Sequence, residues 1–227
     1  LTKGATIVSI RKKETDTEYI LSYKNLQRYV NNYYYFGATI GRNAGRTYPT
    51  EYKNFSGNKV KLKPNENKVY LHGGEHGLDS VEWKISILEQ DFALLEYTDT
   101  NSNYEKASIN LVYQLIGKNF VVRYFGDAKI PTVFNLTNHS YFNLNGNRNC
   151  STVKNHYLKI EESELQIVDD NFIPTENYSE MKNEYQNFDF SNGKNITEAF
   201  DADNDLSRKC KGGIDLAYCF KKNVQSR

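Results

Sequence analysis

The chain has 227 residues, 29 of them basic and 28 acidic, for a net charge of +1. With no Lys/Arg stripe, that balance argues against a nucleic-acid partner. The apolar runs are only a few residues long, far short of a bilayer-spanning helix.

Taken in chain order, the sequence reads as short strands. Val-, Ile-, Tyr-, Phe- and Thr-rich runs with alternating polar residues occur at "ATIVSIR" (5–11), "KVKLK" (59–63), "WKISILE" (83–89), "FALLEYT" (92–98), "ASINLVYQL" (107–115) and "NFVVRYFG" (119–126). Three more follow at "TVFNLT" (132–137), "HYLKIEE" (156–162) and "LQIVD" (165–169). Gly, Asn and Asp clusters punctuate them, and "IGKN" (116–119) between two strands predicts a hairpin. "NLQRYVNN" (25–32) is the best short helical segment. Residues 181–211 read as a long polar loop, with "DADNDLSRK" (201–209) its least structured part. Many short strands, no repeat and no Pro/Gly linker predict an all-β fold, a β-sandwich or barrel. Cys150, Cys210 and Cys219 are odd in number and form no CxxC. That argues against a disulfide framework and for a reducing compartment.

Four segments carry more polar, Gly and aromatic residues than plain strands require: "FGATIGRNAGRT" (36–47), "LHGGEHGLDSVEW" (71–83), "NLTNHSYFNLNG" (135–146) and "GGIDLAY" (212–218). "GATIGRNAG" lacks the spacing of a phosphate loop, and no helix pattern follows it. His72 and His76 are four apart, but two glycines lie between them, so a shared helical face for metal is not expected, and the ligand set is too small. No metal site is expected. Ser140 beside His139 is not in a GxSxG elbow. A lone strand histidine is ordinarily structural. His139 gains weight from company: Arg46, His72, His139 and Asp215 each fall in one of the four segments. Two imidazoles, a guanidinium and a carboxylate among aromatic rings suit a polyhydroxylated ligand.

In order and spacing, the four segments resemble the successive motifs of the aldose 1-epimerases, the galactose mutarotases. "LHGG" and "TNHSYFNL" are the specific signatures, and "FIPTENYSE…FDFSNGKNI" (172–196) resembles the family's "IPTG" turn and following "FDF". The resemblance covers nearly the whole chain. It implies a large antiparallel β-sandwich with an open sugar cleft, a cytoplasmic monomer or homodimer, no membrane or nucleic-acid partner, and exchange of the α- and β-anomers of galactose or glucose. No cofactor is implied, because ring opening at C1 needs only an acid and a base. By resemblance, His139 is the general acid at the ring oxygen. Arg46, His72, Ser140, Tyr141 and Asp215 bind the sugar.

Two departures from the family pattern stand out. Gly45 occupies the place of an Asn before the arginine, removing an amide that would face substrate. The family's general base, a late Glu, lies past the fourth motif and is not in this chain. The sequence is accordingly expected to be a single sandwich domain over residues 1–227, incomplete at both ends and without its C-terminal strands. The alternatives are a sugar-binding or regulatory module without the base, and a hexose-6-phosphate 1-epimerase, whose extra basic residues cannot be placed.

Overall fold

The computed structural model describes residues 1–146, 152–200 and 202–221. The chain divides into two compact units, Leu1–Asn147 and Arg148–Arg227. Among the described residues the strands pair antiparallel, apart from one isolated parallel bridge between Asn43 and Asn135.

The first unit is organised by a four-stranded meander: β1 (Lys84–Leu88), β2 (Phe92–Asp99), β3 (Ala107–Ile116) and β4 (Asn119–Asp127), with spatial order β4-β3-β2-β1. β3 shows why the sequence specifies a strand. Ala107, Ile109 and Leu111 are buried while Ser108 and Asn110 between them are exposed, so side-chain alternation sets the register. The expected hairpin closes β3 on β4, with Ile116 opposite Asn119 and Gly117 in a left-handed turn conformation. Ile109 and Leu111 join Ala5, Leu78, Trp83 and Leu95 in the core of this unit.

Arg42 is a second organiser. It is 1% exposed. Its Nε donates to the Val133 carbonyl (2.9 Å), Nη1 to the Glu105 carbonyl (2.8 Å) and Nη2 to Thr132 Oγ1 (2.7 Å). Nη1 also meets the buried Asp99 carboxylate at 3.4 Å, and the guanidinium lies over the Phe134 ring. These bonds correct the expected strand over 132–137. Arg42 takes up the Val133 carbonyl that a ladder would use, and beyond the isolated Asn135–Asn43 bridge only Thr137–Asn138 forms a ladder, with Thr39–Ile40. Of 5–11, only Arg11 enters a ladder, pairing with Glu18 as Lys12 does with Thr17; Ile7 instead donates to Gly37. Of 156–162, only Tyr157–Leu158 pairs. "NLQRYVNN" forms a 3-10 helix over Leu26–Asn31, N-capped by Asn25.

The second unit packs β5 (Ser163–Val168) between β6 (Pro174–Ser179) and β7 (Tyr218–Phe220). Its core holds Leu165, Val168, Met181, Phe188, Phe190, Ala199 and Leu206. The expectation of an unstructured "DADNDLSRK" is corrected: Asp205–Lys209 is an α-helix. Asn204 caps it by accepting from the Ser207 N–H at 2.8 Å, Asp205 stands in the first turn, and Arg208 and Lys209 stand in the last. Leu206 anchors the turn in the core. Cys210 and Cys219 are free thiols, and Cys150 lies outside the described residues. No helix among the described residues is long and apolar enough to cross a membrane.

Candidate functional site: an imidazole pair

The Thr39–Ile40 and Thr137–Asn138 ladder delivers His139. Its N–H donates to the Ala38 carbonyl at 2.8 Å, and its carbonyl accepts from the Gly37 N–H at 3.1 Å. Asn138 Nδ2 donates to the Gly37 carbonyl (2.9 Å), and Asn138 Oδ1 accepts from the Ser140 N–H (3.0 Å). Gly37 is required here. Its φ is +66°, and a Cβ would stand 1.9 Å from the Ile7 carbonyl oxygen.

A second ladder, Arg46–Thr47 against Tyr70–Leu71, delivers Arg46 and the residue that follows it, His72. Asn65 brackets Leu71, accepting from its N–H (2.7 Å) and donating to its carbonyl (3.1 Å). His72 adopts φ +57°, rare for a residue with a side chain. Reciprocal bonds to Gly45 hold it there: the His72 N–H donates to the Gly45 carbonyl (3.1 Å), and the Gly45 N–H donates to His72 Nδ1 (3.0 Å). The second bond fixes the tautomer, because Nδ1 accepts and the ring proton sits on Nε2.

The two ladders bring the imidazoles together. The ring centroids of His72 and His139 are 5.3 Å apart, edge to face. Between ring centroids, Tyr35 stands 5.0 Å from His72 and 5.7 Å from His139, and Tyr141 stands 5.0 Å from His139. Arg46 is half-buried and forms a bidentate ion pair with Glu66, Nε to Oε2 at 2.6 Å and Nη2 to Oε1 at 3.1 Å. Burial, followed by the positive ends of His139 and Arg46, drives the His72 pKa down to about 4, and the Glu66 carboxylate offsets part of that. His72 is therefore a neutral imidazole at pH 7 with a fixed Nε2–H donor. Burial and the carboxylates of Asp79 and Glu66 push the Tyr35 phenol up to about 12, so it keeps its proton.

Of the residues expected from sequence, His72, His139, Tyr141 and Arg46 belong to this neighbourhood. Ser140 Oγ is buried with no hydrogen-bond partner among the described residues, and Ser140 lines a separate cavity of about 360 Å³ with Ile7, Phe120, Tyr124, Leu136 and Phe142. Asp215 belongs to the second unit, exposed just before β7. His76 ends a three-residue 3-10 turn, Gly74–His76, and is exposed. Among the described residues no group of three or more His, Cys, Asp and Glu is arranged to hold a metal ion. Sequence reasoning missed Tyr35 and Glu66. The "YYYF" run just before the first motif was the available signal for Tyr35, and Glu66 in "PNENK" carried none.

The sequence profile of a family described as aldose 1-epimerase matches residues 1–226. The chain is 33% identical to the aldose 1-epimerase of Escherichia coli over 217 residues, covering 92% of this chain and 61% of that protein. It is 32% identical to the galactose mutarotase of Homo sapiens over 177 residues, 76% of this chain and 51% of that one. Among solved structures, an aldose epimerase homologue from C. elegans superposes with a TM-score of 0.84 at 26% identity, covering 98% of this chain and 68% of that one. A galactose 1-epimerase from Lactobacillus acidophilus gives 0.83 at 25% identity, covering 99% and 66%. The chain spans between about half and three-fifths of the length of these two curated relatives.

Proposed function

This chain belongs to the aldose 1-epimerase family, and on that premise we propose that it contributes to exchange of the α- and β-anomers of an aldohexose, galactose or glucose, at the imidazole pair. The observation that carries the proposal is the Gly45 N–H on His72 Nδ1, which separates the roles of two adjacent imidazoles. In the proposal His72, neutral and fixed, donates its Nε2–H near the sugar's ring oxygen. His139 is the general acid that protonates that oxygen. An imidazole suits the step because its ordinary pKa lies near working pH.

The reaction needs one acid and one base, and ring closure regenerates both. A base takes the proton of the C1 hydroxyl, the C1–O5 bond breaks, and O5 receives the proton from His139. The open-chain aldehyde turns about C1–C2, and the reverse steps close the ring on the other face. Arg46 holds hydroxyls through its planar fork. Tyr141 lines the ring site, and Asp215, in the second unit, is given no part in it. The base is not assigned to any of these residues, and Ser140, which lines the separate cavity, is given no part in the step.

Polarimetry of freshly dissolved α-galactose tests the proposal. In a form of the protein that includes a general base, the approach to equilibrium is expected to be accelerated, and His139→Asn to reduce the acceleration about 10²- to 10⁴-fold, the usual range for a general acid. Undiminished acceleration in His139→Asn refutes the assignment.

A further inference from the structure

We propose that Glu66 is a positioning residue for sugar binding: its carboxylate clamps the Arg46 guanidinium in one plane, so that Arg46 meets sugar hydroxyls already oriented. The inference rests on the reading of the imidazole pair as a sugar site, and goes beyond it in assigning a residue outside the four motifs.

The clamp is bidentate, at 2.6 Å and 3.1 Å, which fixes orientation as well as distance. Its base is rigid. Glu66 begins a tight turn in which its carbonyl accepts from the Val69 N–H (2.9 Å) and its N–H donates to the Val69 carbonyl (3.3 Å). Val69 is 2% exposed. The turn runs directly into Tyr70–Leu71, whose ladder partner is Arg46–Thr47, and Asn65 pins Leu71 from the other side. Glu66 and Arg46 are thus each anchored by backbone pairing, to Val69 and Leu71, and joined to one another through their side chains. The pair is partly open to solvent, at 25% exposure for the Arg46 side chain and 37% for Glu66. Its direct contribution to stability is therefore small, and its effect is expected in preorganisation. Without the carboxylate, the guanidinium regains rotamers that a sugar would have to freeze.

The test is a double-mutant cycle read by galactose titration of the chain. Glu66→Gln is expected to weaken galactose binding about three- to tenfold, the equivalent of reordering one long side chain. In an Arg46→Met background the same substitution is expected to change affinity less than about twofold, because the residue it acts through is gone. The Arg46 Nε–H resonance, slow to exchange with solvent in the parent chain, is expected to exchange quickly in Glu66→Gln. Equal weakening in both backgrounds, or no weakening in either, overturns the proposal. A parent chain that binds galactose not at all, with a protected Arg46 Nε–H, overturns the sugar-site reading and with it the role given to Glu66, while the clamp itself stands.

Discussion

Asp79→Asn offers a quantitative check on the electrostatics behind the site. Asp79 lies in "LHGGEHGLDS", close enough to Tyr35 for its charge to act on the phenol. Its Oδ1 is buried and has no hydrogen-bond partner among the described residues. Burial raises the carboxyl from 3.8 to about 6, offset only partly by its own backbone N–H and by Lys3. A carboxyl whose pKa rises on folding stabilises the fold only while protonated. The contribution is complete below the unfolded value of 3.8 and is lost as pH climbs through about 6. A shift of about two units corresponds to about 3 kcal/mol at neutral pH, an upper bound given residual solvent contact. Asn is neutral at every pH. The substitution should therefore raise the unfolding free energy by up to about 3 kcal/mol at pH 7.5 and by only about 1 kcal/mol at pH 4.5, where most of the native carboxyl is protonated. Urea unfolding of both chains at the two pH values measures this. An equal gain at both, or a loss at pH 7.5, would refute the assignment of a charged, poorly solvated Asp79.

Arg42→Met removes the hub that holds Val133, Glu105 and Thr132 and leaves the buried Asp99 carboxylate, which Asn101 and Ser102 still hydrogen-bond, without its cationic partner. It should cost about 3–5 kcal/mol in the same assay. Gly73→Ala would place a Cβ 1.9 Å from the Gly41 carbonyl oxygen at φ +91°, and should destabilise by at least about 2 kcal/mol. Gly45→Asn should be accepted within about 1 kcal/mol, because nothing lies within 4 Å of a Cβ there and Asn tolerates the left-handed conformation at φ +86°. Gly45→Val should fail that limit and disturb the Gly45–His72 hydrogen bond, which the His72 Nδ1 chemical shift reports.

The sequence made the meander readable because β2, β3 and β4 are long and rich in β-branched, aromatic and leucine residues, and β3 alternates buried and exposed positions from Ala107 to Leu111. The hairpin at Gly117 was readable for the same local reason. What failed was non-local. Nothing in "TVFNLT" announces that an arginine some ninety residues upstream will take its polar groups. "DNDLSRK" contained the signals of a capped helix turn, an Asn cap with an acidic start and a basic end, but its polarity outweighed them. At the site, His72, His139 and Arg46 were legible as motif residues, whereas their arrangement depends on two ladders too short to detect as strands. The two arginines of "GRNAGR" look alike in sequence. Only burial separates the structural Arg42 from the partly open Arg46.

The most direct test of the central claim is ¹⁵N NMR of the two imidazoles during a galactose titration. The account predicts that both His72 and His139 shift with saturating sugar, and that His72 keeps its proton on Nε2 and stays neutral from pH 8 down to about 5, consistent with a pKa of about 4. Unmoved imidazoles, or a His72 that titrates near the ordinary histidine value, would contradict a sugar site built on one fixed donor and one proton-transferring histidine.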